Sequence, residues 1–130
     1  MKIEYRDGLI FTEVKLNFRG KTKIIENVVI DTGAAETIIS PDAVSDLGIY
    51  AELNDKVGSF YGVAGSLHNF FSKNVDILRI DTFELKYVKL DFGIIDPRGE
   101  INGLIGLDLL IKVGAIIDLK NMNIIIEMWC

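Results

Sequence analysis

The chain has 130 residues, 49% of them hydrophobic, and a net charge of −5 at pH 7. That length predicts one domain, 1–130, with enough apolar material for a buried core, and the composition excludes a disordered chain. The acidic balance disfavours nucleic acid and anionic membrane surfaces as partners, since both require a basic face.

In chain order, Ile3 to Tyr5 is a short apolar-alternating strand, and Asp7-Gly8 signals a hairpin turn. Leu9 to Phe18 follows with Phe11, Val14, Leu16 and Phe18 pointing inward. The period slips once between Phe11 and Val14, which predicts a bulge. Arg19-Gly20-Lys21 is the next turn, and Lys23 to Ile30 a third strand. Ser40 to Gly48 carries a helix signature: Ser40 to cap, Pro41 at the first position, Asp42 against the dipole, Gly48 to terminate. Strand-like segments then run over Lys56 to Phe71 around a glycine-rich centre, Val75 to Ile80, and Phe83 to Ile94. Asp96 to Glu100 is a loop, and Ile101 to Ile105 is apolar around Asn102-Gly103. A second helix is predicted over Leu107 to Val113, with Asp108 and Lys112 paired at i,i+4 on a solvated face. Ala115 to Asp118 and Ile124 to Glu127 close the chain as strands about an Asn121-Met122-Asn123 turn. Many short strands with two short helices predict an all-β barrel or sandwich.

No apolar run approaches the ~20 residues that cross a bilayer, so no membrane partner is expected. Charged residues at Lys2, Glu4, Arg6 and Asp7 stand where an export signal needs an apolar core. The single cysteine, Cys130, allows no internal disulfide. Both favour a reducing, cytoplasmic setting.

Val28-Val29-Ile30-Asp31-Thr32-Gly33-Ala34 drives a carboxylate to the end of an apolar run and then turns. An ionised acid beside buried aliphatics is costly unless hydrogen bonds hold it, and held carboxylates in clefts are candidates for acid–base chemistry. Taken alone, Asp31-Thr32-Gly33 is also an ordinary turn sequence. The chain supplies a control at Ile80-Asp81-Thr82-Phe83, where Phe83 replaces the glycine that would let the backbone fold back toward the acid. That copy is an ordinary turn. Two further elements stand in order behind Asp31: the glycine-rich Phe60-Tyr61-Gly62-Val63-Ala64-Gly65-Ser66, and Leu104-Ile105-Gly106 leading into the second helix.

Together these three elements, from about Leu9 to Ile126, resemble the retropepsin-like aspartic proteases, the group that includes the retroviral enzymes. The resemblance implies a closed all-β barrel with two short helices. It also implies an aspartic endopeptidase acting on peptide or protein substrates without cofactor or metal. One Asp-Thr-Gly-Ala per chain implies a homodimer, since the water between the two acids is activated by an Asp31 from each subunit. By the same resemblance Thr32 bonds across the two-fold axis and the Gly33 N–H orients the carboxylate. Tyr61, Gly62, Val63, Ala64 and Gly65 form a flap over substrate, and Leu104, Ile105 and Gly106 pack beneath the loop. Ala34 stands where pepsin-like enzymes carry a hydroxyl that favours the ionised acid, so activity is expected at mildly acidic to neutral pH.

The chain departs from the viral pattern at Ala35 and at Leu107-Asp108, where viral enzymes carry an acid and an Arg-Asn pair that brace the dimer. Leu107-Asp108-Leu109-Leu110 looks instead like cellular and bacterial members. Glu36 is placed equally well in the cleft or in solvent. Other catalytic classes lack support: His68, the only histidine, has no nucleophile motif near it and is expected to be exposed on the descending flap strand, and no glycine-rich phosphate loop or zinc spacing occurs. The alternative is a non-catalytic dimeric β-barrel serving as a binding or scaffold module.

Overall fold

Alternating side chains on the second strand set the inner surface of a barrel: Phe11, Val14, Leu16 and Phe18 are buried while Glu13 and Lys15 face water. The computed structural model describes residues 1–61 and 67–126. Ten strands run β1 Glu4–Arg6, β2 Leu9–Phe18, β3 Lys21–Ile30, β4 Ile38–Ile39, β5 Lys56–Tyr61, β6 Leu67–Ile80, β7 Phe83–Gly93, β8 Gly103–Ile105, β9 Ala115–Asp118 and β10 Asn123–Ile126. The helices are α1 Pro41–Val44, continued by a 3-10 turn over Ser45–Leu47, and α2 Leu107–Lys112. The flap tip expected at Gly62, Val63, Ala64 and Gly65 lies outside the described residues, as does Cys130.

Eight strands form one sheet in the order β1-β2-β3-β8-β4-β7-β6-β5, and a further pairing of β2 with β6 joins six of them into a ring. The pairing of β2 with β3 shifts register between Thr12 and Val14, where the hydrophobic period slips. Inside the ring pack Leu16, Ile25, Val28, Ile39, Val75, Leu78, Leu90, Phe92 and Ile105, each at most 2% exposed. Full burial of such a side chain contributes about 1.5–3 kcal/mol. Outside the large sheet, β9 and β10 pair as a hairpin, and the Met1 ammonium donates to the Ile124 carbonyl at 2.9 Å. Ile124 is core, whereas Ile125 is 39% exposed.

The structure departs from the sequence reading at several elements. Val75 to Ile80 is not a separate strand, because β6 runs unbroken from Leu67 to Ile80. The polar Ser72-Lys73-Asn74 that suggests a break is held inside the sheet. Lys73 is buried with its Nζ 2.7 Å from Glu52 and 2.8 Å from Asp55, and the Ser72 hydroxyl donates to Asp91 at 2.6 Å. Burial alone would lower the Lys73 pKa, but the hydrogen bonds from its ammonium to Asp55 and Glu52 raise it instead. The same ammonium lowers both acids. Carboxylates whose pKa falls on folding stabilise above their unfolded pKa and lose that contribution as pH drops through the folded value. Lys73→Ala is therefore expected to lower the thermal midpoint at neutral pH, and the deficit should shrink below about pH 4; calorimetry across pH reads both.

The first helix is a single turn. Ser40 is extended and makes no side-chain cap; its carbonyl instead accepts from the Ala43 N–H at 3.1 Å. Gly48 does end the segment, at φ 78°, a left-handed conformation that costs glycine nothing. Asp81-Thr82 is a plain turn between β6 and β7.

Candidate active site

β3 and β4 are the two arms of a loop, and β8 lies between them, parallel to β3 and antiparallel to β4. Val28, Val29 and Ile30 pair with Gly103, Leu104 and Ile105, which fixes the point where Asp31 leaves the sheet. The Asp31 N–H donates to the Ile105 carbonyl at 2.9 Å. The backbone then turns, so that the Gly33 N–H donates to Asp31 Oδ1 at 2.9 Å and the Ala34 N–H to the Asp31 carbonyl at 3.2 Å. Asp31 is half-buried, and Thr32 beside it is exposed.

Gly106 passes under the far side of the same loop. A Cβ there would lie 2.7 Å from the Glu36 carbonyl carbon and oxygen and 2.8 Å from the Ala34 oxygen. The close approach lets the Leu107 N–H donate to the Ala34 carbonyl at 2.8 Å and the Asp108 N–H to that of Ala35 at 3.1 Å. Asp108 is not engaged with Lys112 as the i,i+4 spacing suggests. Its carboxylate accepts instead from the Thr37 hydroxyl at 2.7 Å and the Thr37 N–H at 3.1 Å. The buried Thr37 hydroxyl in turn accepts from the Gly106 N–H at 3.0 Å. This clamp joins the loop to α2. Thr37→Val leaves the buried Gly106 N–H without an acceptor and is expected to cost about 1–3 kcal/mol, with Thr37→Ser recovering most of it; urea unfolding of the three proteins measures this.

A cavity of about 740 Å³ opens in front of the loop, lined by Asp31, Gly33, Ala34, Ala35, Glu36, Ile38, Leu104 and Asp91, and by Phe60, His68 and Phe70 from the flap strands, with Ile95 and Pro97 at its rim. Glu36 belongs to this cleft. His68 is half-buried rather than exposed, with its ring 5.2 Å from that of Phe60 and nearly parallel to it. A hydrogen bond with the Asp91 carboxyl, together with the repulsion between the two acids and with burial, raises the Glu36 pKa. Lys89 opposes that rise and Asp108 adds to it. A carboxyl whose pKa rises on folding stabilises below its unfolded value, and the contribution is lost as pH climbs through the folded value. Glu36→Gln is accordingly expected to be more stable than the wild type at neutral pH, with the difference vanishing below about pH 4, as followed by thermal unfolding.

Among the described residues no three His, Cys, Asp or Glu side chains are placed to hold a metal. The three sequence elements converge only in part: Asp31 meets Ile105 and Ala34 meets Gly106 directly, Thr32 and Gly33 lie on the same loop, and Leu104 pairs with the Val29 that leads into it, while Tyr61 ends β5 and the flap tip falls outside the described residues. Sequence reading missed Thr37, Asp91 and Ser72. Thr37 stands alone before the apolar β4 and Asp91 within β7, and Ser72 opens a polar run that reads as a break; these are their only sequence signals.

A β-ring in which a glycine-turned aspartate loop straddles a third strand is the architecture of a retropepsin-like aspartic protease. A family model described as aspartyl protease matches residues 13–109, and the chain belongs to that family. Its structure is similar to the crystal structure of a retropepsin-like aspartic protease from Rickettsia conorii, with a TM-score of 0.66 and 22% identity over 95% of this chain and 86% of that one. No curated protein matches the sequence.

Proposed function

We propose that the chain is an aspartic endopeptidase whose active unit is a homodimer, with one Asp31 contributed by each subunit. The observation that carries this reading is the Asp31 carboxylate, held by the Gly33 N–H and opening onto a cavity of about 740 Å³. Two such acids facing one another share a proton, because like charges a few ångströms apart do not both ionise readily. The ionised acid takes a proton from water as the water oxygen attacks the peptide carbonyl, and the protonated acid gives its proton to the carbonyl oxygen. Transfer of a proton to the amide nitrogen then releases the two peptide ends, so no cofactor is needed.

In this reading the exposed Thr32 meets its counterpart across the two-fold axis, and Ala34 shapes the loop without a hydroxyl. Tyr61 to Gly65 cover the substrate, and the Leu104 to Gly106 strand supports the loop from below. The domain is the whole of 1–130, and its setting is the cytoplasm. Among the described residues no helix is long and apolar enough to cross a membrane.

The test is cleavage of a peptide library by the purified protein and by Asp31→Asn, with molar mass read by light scattering. Asp31-dependent cleavage by a species of twice the chain mass supports the reading. Absence of cleavage by both proteins overturns it in favour of a binding module, equal cleavage by both removes Asp31 from the chemistry, and activity from a strict monomer overturns the shared centre.

A further inference from the structure

The cleft holds a second set of acids that the proposed hydrolysis does not use. Asp91 sits on β7 with its side chain 7% exposed, and it lines the cavity together with Glu36. The Ser72 hydroxyl, at 2.6 Å, and the more distant Lys89 ammonium, at 3.8 Å, both address Oδ1. Among the described residues no donor group reaches Oδ2. Glu36, itself an acid, neighbours the same carboxyl in the cleft.

A buried carboxyl facing another carboxyl is poorly satisfied unless a proton or a cation lies between them. The walls beside the pair are apolar and aromatic, from Ile38, Phe60 and Phe70. An aliphatic stem with a cationic head fits both surfaces: the stem lies on the rings and the head reaches the acids.

We propose that Glu36 and Asp91 form a side-chain pocket of the cleft that selects peptides carrying lysine or arginine near the bond to be cut. The proposal rests on the peptidase reading of the same cleft. The sheet order β3-β8-β4-β7 puts Asp91 three strand spacings from the strand that delivers Asp31. At about 4.8 Å per spacing this is about 14 Å across the sheet, and an extended peptide advances about 3.3 Å per residue. With the reach of a lysine stem, the cation stands roughly two to four residues from the cut. Glu36 joins the cleft from the loop that carries Asp31, so one short segment supplies both a reacting acid and a recognition acid.

The pocket changes charge with pH. The groups facing it are the Ser72 hydroxyl and His68 from β6, Lys89 from β7, Asp108 from α2 and Asp31 from the loop. At low pH Glu36 keeps its proton and the pocket is a poor cation site. As Glu36 ionises, a bound lysine replaces that proton, so the preference for lysine strengthens as pH rises.

Two measurements decide the matter. Cleavage is compared for peptides that carry lysine or its uncharged isostere norleucine at each of the four positions on either side of the cut. Binding is measured by calorimetry with the same pairs built as hydroxyethylene peptides, which the chain does not hydrolyse. At one position lysine is expected to be favoured by about tenfold or more, in KM and in Kd rather than in kcat, as befits a charge-assisted contact. The ratio should grow between about pH 4 and 7 and fall toward one in Glu36→Gln, an exposed position. Asp31-dependent cleavage with no lysine preference at any position overturns the pocket and leaves the peptidase reading standing. A Glu36-dependent lysine preference in binding without any cleavage supports the pocket and overturns the peptidase. Equal binding of both peptides without cleavage overturns both.

Discussion

Replacing Asp31 by Asn is expected to reduce peptide cleavage by about 10²–10⁴-fold, the range that a positioned acid–base group contributes. The substitution keeps the shape of the side chain and its acceptor oxygen for the Gly33 N–H, 2.9 Å away, so the loop should keep its conformation. What disappears is the exchangeable proton. Because the proposed centre draws one acid from each subunit, the variant should also poison the wild type. When the two are mixed and allowed to exchange, mixed pairs hold a single acid and are inactive. Activity per wild-type chain should then fall in proportion to the wild-type fraction, to about one half at equal amounts. A monomeric enzyme would show simple dilution with no loss per wild-type chain, so the titration separates the two architectures without a structure of the pair.

The second large effect is expected at Gly106. Its virtual Cβ meets backbone atoms of Glu36 and Ala34 at 2.7 and 2.8 Å, and backbone cannot rotate away as a side chain does. Gly106→Ala must push α2 and the Asp31 loop apart. That breaks the Leu107 N–H to Ala34 bond at 2.8 Å and strains the Thr37–Asp108 clamp. The steric cost alone is about 1–3 kcal/mol. With the lost hydrogen bonds, about 1 kcal/mol each, the variant should be among the least stable single-site changes in the chain. Urea unfolding gives the stability. If the variant folds at all, its kcat should fall further than its KM rises, because the loop carrying the reacting acid moves while most of the cleft wall stays in place.

Much of this was written in local patterns. The bulge in β2 follows from a period that slips between Phe11 and Val14, the turn ending at Gly48 from a residue that tolerates positive φ, and the Asp31 loop from an acid after three aliphatics and before a glycine. These features are fixed by neighbours in sequence. What the sequence left hidden depends on partners far along the chain. Lys73 looks like a break in a strand until Glu52 and Asp55 arrive to neutralise it. Asp108 looks like half of a surface pair with Lys112 until Thr37, 71 residues away, offers two donors. Helix spacing is a weak guide where a helix of six residues is pressed end-on against a loop. His68 likewise takes its place from Phe60 across the hairpin rather than from its own polarity.

The strand that lies between the arms of the Asp31 loop has a consequence for synthesis. Val28 pairs with Gly103, about 75 residues later, and no nearer segment fills that slot. A chain still emerging from the ribosome can form the β2–β3 hairpin early, yet the Asp31 loop stays without its β8 support until Gly103 to Ile105 have been made. On the peptidase reading, the order of pairing along the chain thus makes support of the Asp31 loop one of the later steps of folding.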